Sequence, residues 1–113
     1  MPLISVHTNV KVEKKTADTV KAACGSAITL LPGKTEDWLM VEIEGDKALY
    51  FKGSDAPCAF AEVKIFGKST AAAYDNLTSA LCDVLSKALS VPGDRIYVKY
   101  EEISHWGWNG SNF

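Results

Sequence analysis

Leu3 to Thr8 reads as a strand, after which apolar positions fall at helical spacing from Thr16 to Leu31, with Val20, Ala23, Ala27 and Leu30 or Leu31 on one face. Pro32-Gly33 stops that helix. The segment WLMVEIE, Trp38 to Glu44, alternates apolar and polar side chains and predicts a strand with one buried face. A turn signal at Glu44-Gly45-Asp46 and the short piece ALYF predict a hairpin, which Lys52-Gly53-Ser54-Asp55 ends. The order then starts again. Cys58 to Phe66 predicts a strand, and Ser69 is expected to cap a second helix bearing Ala73, Leu77, Ala80, Leu81, Val84, Leu85 and Ala88 on its apolar side. Pro92-Gly93 stops this helix too, and RIYVKYE, Arg95 to Glu101, supplies the matching strand.

The two helices run out in LLPGK and LSVPGD, so each half reads as strand, helix, strand with the same stop. The fold class expected is α/β in composition and α+β in layering: a duplicated β-α-β unit forming a four-stranded mixed sheet with two antiparallel helices on one face. Each crossover should be right-handed. The uncovered face is expected to carry enough apolar side chains to need a partner, which predicts a closed homo-oligomer.

A chain of 113 residues fits one domain, 1–113, with a single core. Its 23% charged residues and formal charge of -2 give neither nucleic acid nor an anionic membrane an electrostatic hold. Lys11, Lys14 and Lys15 are offset locally by Glu13 and Asp18. Three cysteines, Cys24, Cys58 and Cys82, cannot all pair and lack the short spacings of a zinc site or a redox pair. Free thiols and a start without a secretory pattern predict an intracellular, cytoplasmic setting, with any release by a non-classical route.

The start itself, MPLIS, raises a chemical possibility. Proline suits the first residue of a strand, where no ladder donor is needed. A small second residue also favours trimming of the initiator methionine, which would leave a free secondary amine on Pro2. Lys34 on its own reads as a solvated lysine at a helix C-terminus. Phe66, Trp106 and Phe113 read as core or interface aromatics, and Tyr97 as a strand residue with one wet end. Gly33-Lys34-Thr35 echoes a phosphate loop, but Ile28 replaces the upstream glycine and the order is helix to strand, so that motif is rejected. Asn109-Gly110-Ser111 is a formal glycosylation sequon. His7 and His105 have no ligand cluster around them in sequence, so no metal or cofactor is expected.

The MP start with Thr8-Asn9-Val10, Gly33-Lys34, GSDAPCA from Gly53 to Ala59, Gly67-Lys68, Asp94 to Tyr97 and the tail WGWNGSNF occur in an order that resembles the macrophage migration inhibitory factor family of tautomerases. The resemblance runs almost end to end. It implies a homotrimer with active sites at subunit interfaces and an N-terminal proline as general base. On this chain it makes Pro2 the base and Lys34 the cation beside it. Ile65 and Phe66 would flank the substrate, Phe66 standing where isoleucine is usual. Tyr97 and Lys99 would come from a neighbouring subunit, Lys99 replacing an asparagine. Trp106, Phe113 and Trp38 would form the pocket wall and rim. Ala61 stands where vertebrate members complete a C-x-x-C motif, so thiol oxidoreductase activity is not implied. The segment from Tyr100 to Trp106 is shorter than in vertebrate members, which reshapes the pocket lip.

An α-amine titrates near 7.7 to 8 when exposed. Burial and a nearby cation both lower that value, giving a neutral amine able to shuttle a proton between carbon and oxygen of a keto acid. The resemblance thus implies a keto-enol tautomerase taking phenylpyruvate-like or dopachrome-like aryl keto acids. The alternative it carries is a cytokine-like protein that engages a host receptor and retains the pocket.

Overall fold

In the computed structural model, which spans residues 1–113, strand β1 (Pro2–Thr8) lies between two neighbours in the main sheet. β2 (Met40–Glu44) pairs with it in parallel and β3 (Ala59–Phe66) antiparallel, while β4 (Ile96–Ile103) runs parallel to β3. The order β2-β1-β3-β4 is the mixed sheet expected of two β-α-β units set side by side. Helices α1 (Lys14–Ala27) and α2 (Ala71–Leu89) pack on one face of it.

Spacing in α2 explains why it docks. Ala73, Leu77, Leu81, Leu85 and Leu89 recur at every fourth residue and form a single buried stripe. They meet Ile4 and Val6 of β1, Ala61, Val63 and Ile65 of β3, and Val20, Cys24 and Ile28 from the first helical segment in one continuous core. The N-cap of α2 is Thr70 rather than Ser69: the Thr70 hydroxyl accepts from the Ala73 amide at 3.1 Å. The Ser69 amide donates instead to the Tyr74 hydroxyl at 3.1 Å. At the other end Ser90 takes a left-handed conformation, φ 55°, and turns the chain away before Pro92. The first helix is shorter than its periodicity suggests, because the chain tightens into a 3₁₀ turn over Ile28–Leu30.

The hairpin expected from ALYF does not form; only an isolated bridge joins Phe51 and Ser54. The backbone there is held by side chains instead. The Asn9 amide donates to the carbonyls of Leu49, Asp55 and Ala56 at 3.2, 2.9 and 3.1 Å, and its oxygen accepts from the Cys58 amide at 3.0 Å. Each of these bonds satisfies a backbone group that no ladder pairs. Conversely, a hairpin absent from the expectations closes the chain: β5 (Gly107–Trp108) pairs with β6 (Ser111–Asn112) through a turn whose two central residues, Asn109 and Gly110, have φ 51° and 93°. Asn-Gly with both φ positive is the type I′ signature, so the apparent sequon is a turn.

The face of the sheet away from the helices carries ion pairs among apolar and aromatic side chains such as Met40, Phe60 and Tyr97. Glu62 bridges to Lys99 at 3.2 Å and to Lys64 at 3.5 Å, and Lys64 continues to Glu101 at 3.7 Å. His7 stacks on Phe60 with ring centroids 4.6 Å apart and sets its Nδ1 3.3 Å from Glu44. Aromatic rings and ion pairs therefore share this face. All three cysteines are free, and burial pushes the Cys24 thiol up to about 11, which keeps it protonated. No helix is long and apolar enough to cross a membrane.

Candidate active site

Pro2 opens β1 opposite Ile65 of β3, at the end of the sheet where the connection from α1 to β2 passes. A residue without an N–H costs nothing there, because the ladder needs no donor at that point. Pro2 is buried, and the carbonyl of Met1 extends the pairing by accepting from the Phe66 amide at 2.9 Å. Gly33, at φ 82°, turns the chain after the first helical segment and delivers Lys34 to the same corner. The Lys34 ammonium donates to the Phe66 carbonyl at 2.9 Å. Both polar groups of one peptide-bearing residue, Phe66, are therefore engaged within the site. The α-amine of Met1 is held below its ordinary value, first by burial and then by the neighbouring Lys34 ammonium.

A cavity of about 520 Å³ opens over this corner, bounded by Met1 to Leu3, by Asp37 to Met40 and by Trp106 to Trp108. A smaller hollow of about 290 Å³ lies between Met1, Trp38, Phe66 and Phe113. The aromatic walls are linked ring to ring. Trp38 meets Trp108 edge-on at 5.0 Å, Trp108 stacks with Phe113 at 6.2 Å, and Phe113 tilts against Phe66 at 5.6 Å. The C-terminal hairpin is drawn onto the site by this chain of rings and by the Phe113 amide, which donates to the Trp106 carbonyl at 3.0 Å.

The structure brings Pro2, Lys34, Phe66, Trp38, Trp106 and Phe113 together. Trp38 does so from a 3₁₀ turn, Glu36–Trp38, not from the strand its alternation suggested. Ile65 is the exception: its side chain is 1% exposed and belongs to the core, because strict alternation along β3 sends Ile65 to the helices and Phe66 to the opposite face. Only its backbone borders the site. Tyr97 and Lys99 stand elsewhere. Tyr97 pairs with Phe60, five positions from Ile65, so about 17 Å of strand and an intervening β3 separate it from Pro2 of the same chain. Lys99 is committed to Glu62, whose carboxyl it holds below the ordinary range by hydrogen bonding and charge. Trp108 and Met40 are among the wall residues that sequence reasoning missed. The Asn109-Gly110 turn signal was the available clue to Trp108, since a hairpin there folds Phe113 back beside Trp106 and sets Trp108 in the opposing arm.

These features define a class: a duplicated β-α-β protein whose first strand begins at a buried proline, with a cation and an aromatic cavity built around it. The sequence profile of the macrophage migration inhibitory factor family matches residues 1–113, and the chain belongs to that family. It is 30% identical over 115 residues to macrophage migration inhibitory factor of Xenopus laevis, covering 100% of this chain and 99% of that protein. It is also 30% identical to the homolog from the nematode Trichuris trichiura, each chain being covered in full. Among solved structures, MIF2 of Leishmania major superposes with a TM-score of 0.94 at 30% identity, covering 100% of this chain and 97% of that one. The homologue from Prochlorococcus marinus superposes at 0.89 with 27% identity, covering 98% of each.

Proposed function

We propose that the chain is a keto-enol tautomerase for phenylpyruvate-like and dopachrome-like aryl keto acids, with Pro2 as general base once Met1 is removed. The observation that carries this reading is the corner in which Pro2 sits: the residue is buried, the Lys34 ammonium stands close enough to lower the pKa of the adjoining Met1 amine, and an aromatic cavity opens above. Removal of Met1 turns the Pro2 nitrogen from an amide into a secondary amine in that corner. Burial and Lys34 then favour its neutral form, which can accept a proton near pH 7.

The same trimming releases the Phe66 amide from the Met1 carbonyl. A freed backbone donor beside the Lys34 ammonium suits a carboxylate, and the rings of Phe66, Phe113, Trp38 and Trp106 suit an aryl group. With the keto acid so held, Pro2 takes one proton from the enol oxygen or from the carbon beside the carbonyl and returns it to the other position. Atoms balance without a metal or redox cofactor. In a homotrimer, Tyr97 and Lys99 of one chain would reach the Pro2 corner of the next, which their distance within one chain forbids. The aryl keto acid is the only small-molecule partner this reading requires. A phenylpyruvate assay on protein whose methionine removal has been verified by mass tests it, and absence of turnover in that preparation sinks it.

A further inference from the structure

We propose that Arg95 is a positioning residue for Tyr97, acting through the ring of Phe51; this rests on the tautomerase reading, in which Tyr97 contacts substrate across a subunit boundary. Arg95 spends its entire fork on one irregular loop. Nε donates to the Pro57 carbonyl at 2.9 Å, Nη1 to Phe51 at 3.1 Å, and Nη2 to Ser54 at 3.2 Å and to Ala56 at 2.9 Å. Its guanidinium carbon also lies 5.3 Å from the centroid of the Phe51 ring. The arginine therefore fixes both the backbone and the side chain of Phe51.

Phe51 in turn meets Tyr97 edge-on, with centroids 5.0 Å apart and planes at 83°. That contact matters because, within its own chain, Tyr97 is 66% exposed and its hydroxyl has no hydrogen-bond partner. A free tyrosine on a strand samples several rotamers, and substrate binding must then select one. An edge-on partner of fixed position narrows that choice beforehand. The loop is well suited to supply it, since Asn9 grips the same Ala56 carbonyl from the opposite side at 3.1 Å. Lysine cannot replace this clamp: a compact ammonium has no planar fork to span four carbonyls.

The test uses the processed full-length chain, ring-labelled on tyrosine, with the Tyr97 resonances assigned by Tyr97→Phe. Arg95→Lys keeps the charge and removes the fork; Phe51→Leu keeps the backbone carbonyl that Arg95 holds and removes the ring. In both variants the Tyr97 ring resonances are expected to move, and KM for phenylpyruvate to rise roughly three- to tenfold with kcat nearly unchanged. Tyr97 resonances that stay in place in Arg95→Lys overturn the proposal, as does a KM that stays at the wild-type value in either folded variant. Should Arg95→Lys fail to fold, KM on Phe51→Leu decides, because loss of the neighbouring ring moves the Tyr97 resonances whether or not that ring positions it. A wild-type chain without turnover would end the tautomerase reading, while the resonances alone would still decide whether Arg95 orders Tyr97.

Discussion

Lys34 and Phe66 are joined by a 2.9 Å hydrogen bond from ammonium to carbonyl, which fastens the connection after the first helix to the last residue of β3. That bond fixes a positive charge beside the amine at the start of the chain. The Met1 amine already feels that charge, and the Pro2 amine left by trimming lies in the same corner, so Lys34→Met is expected to raise the Pro2 amine pKa: burial still lowers it but the charge is gone. The acidic limb of the pH-rate profile should move to higher pH by the same amount. Titration of the isotopically labelled α-amine checks the sign directly, and an unchanged titration would place the Lys34 charge out of reach.

Methionine retention gives a second, sharper contrast. With Met1 attached, the Pro2 nitrogen is an amide whose lone pair is delocalised into the carbonyl, and the Phe66 amide stays occupied. Phenylpyruvate turnover should fall by roughly a hundredfold or more, the scale of a lost general base. Pro2→Gly after processing should lose less, since a primary amine remains. Paired mass spectrometry and kinetics on retained and trimmed material read the difference; equal rates would exclude Pro2 as the base.

The Tyr74 hydroxyl donates to Glu102 at 2.7 Å, and burial together with that carboxylate pushes the phenol up to about 12. The folded chain thus holds a proton that the unfolded chain loses near pH 10. Stability from this group is complete below pH 10 and declines as pH rises toward 12. Tyr74→Phe should flatten that part of the alkaline decline, leaving the share of Tyr100, whose pKa burial also raises. Melting temperatures at pH 9 and pH 11.5 for both proteins provide the check.

Assembly is open to a plain measurement. Sedimentation at micromolar concentration is expected to give three times the 12.2 kDa chain mass. A stable monomer would leave Tyr97 and Lys99 without a neighbour's Pro2 to serve.

Which parts of this arrangement could be read from sequence follows from how local their causes are. The leucines of α2 and the alternation of β3 are periodic, so they announce both the element and the face. The loop from Gly45 to Pro57 is not periodic at all. Its short apolar piece looked like half a hairpin, but its carbonyls are claimed by Asn9 and Arg95, which lie about forty residues away in sequence. No local rule sees such partners. At the site, Pro2 and Lys34 were legible through family resemblance, whereas the direction of Ile65 required the strand's inward and outward parity. The polar character of the open face was legible in principle, because Glu62, Lys64, Lys99 and Glu101 occupy alternate positions of two strands.

Strict alternation in β3 has a consequence for how the site comes into being. Ile65 and Phe66 are adjacent, one packed into the core and the other set beside the chain start. A slip of one residue between β1 and β3 would exchange them, sending an aromatic ring into a space shaped for isoleucine and withdrawing it from the cavity. Misregistered chains are thus penalised by the core before any ligand is present. Quality control of the corner around Pro2 is delegated to hydrophobic packing, so a one-residue slip there cannot leave the core well packed and that corner misbuilt.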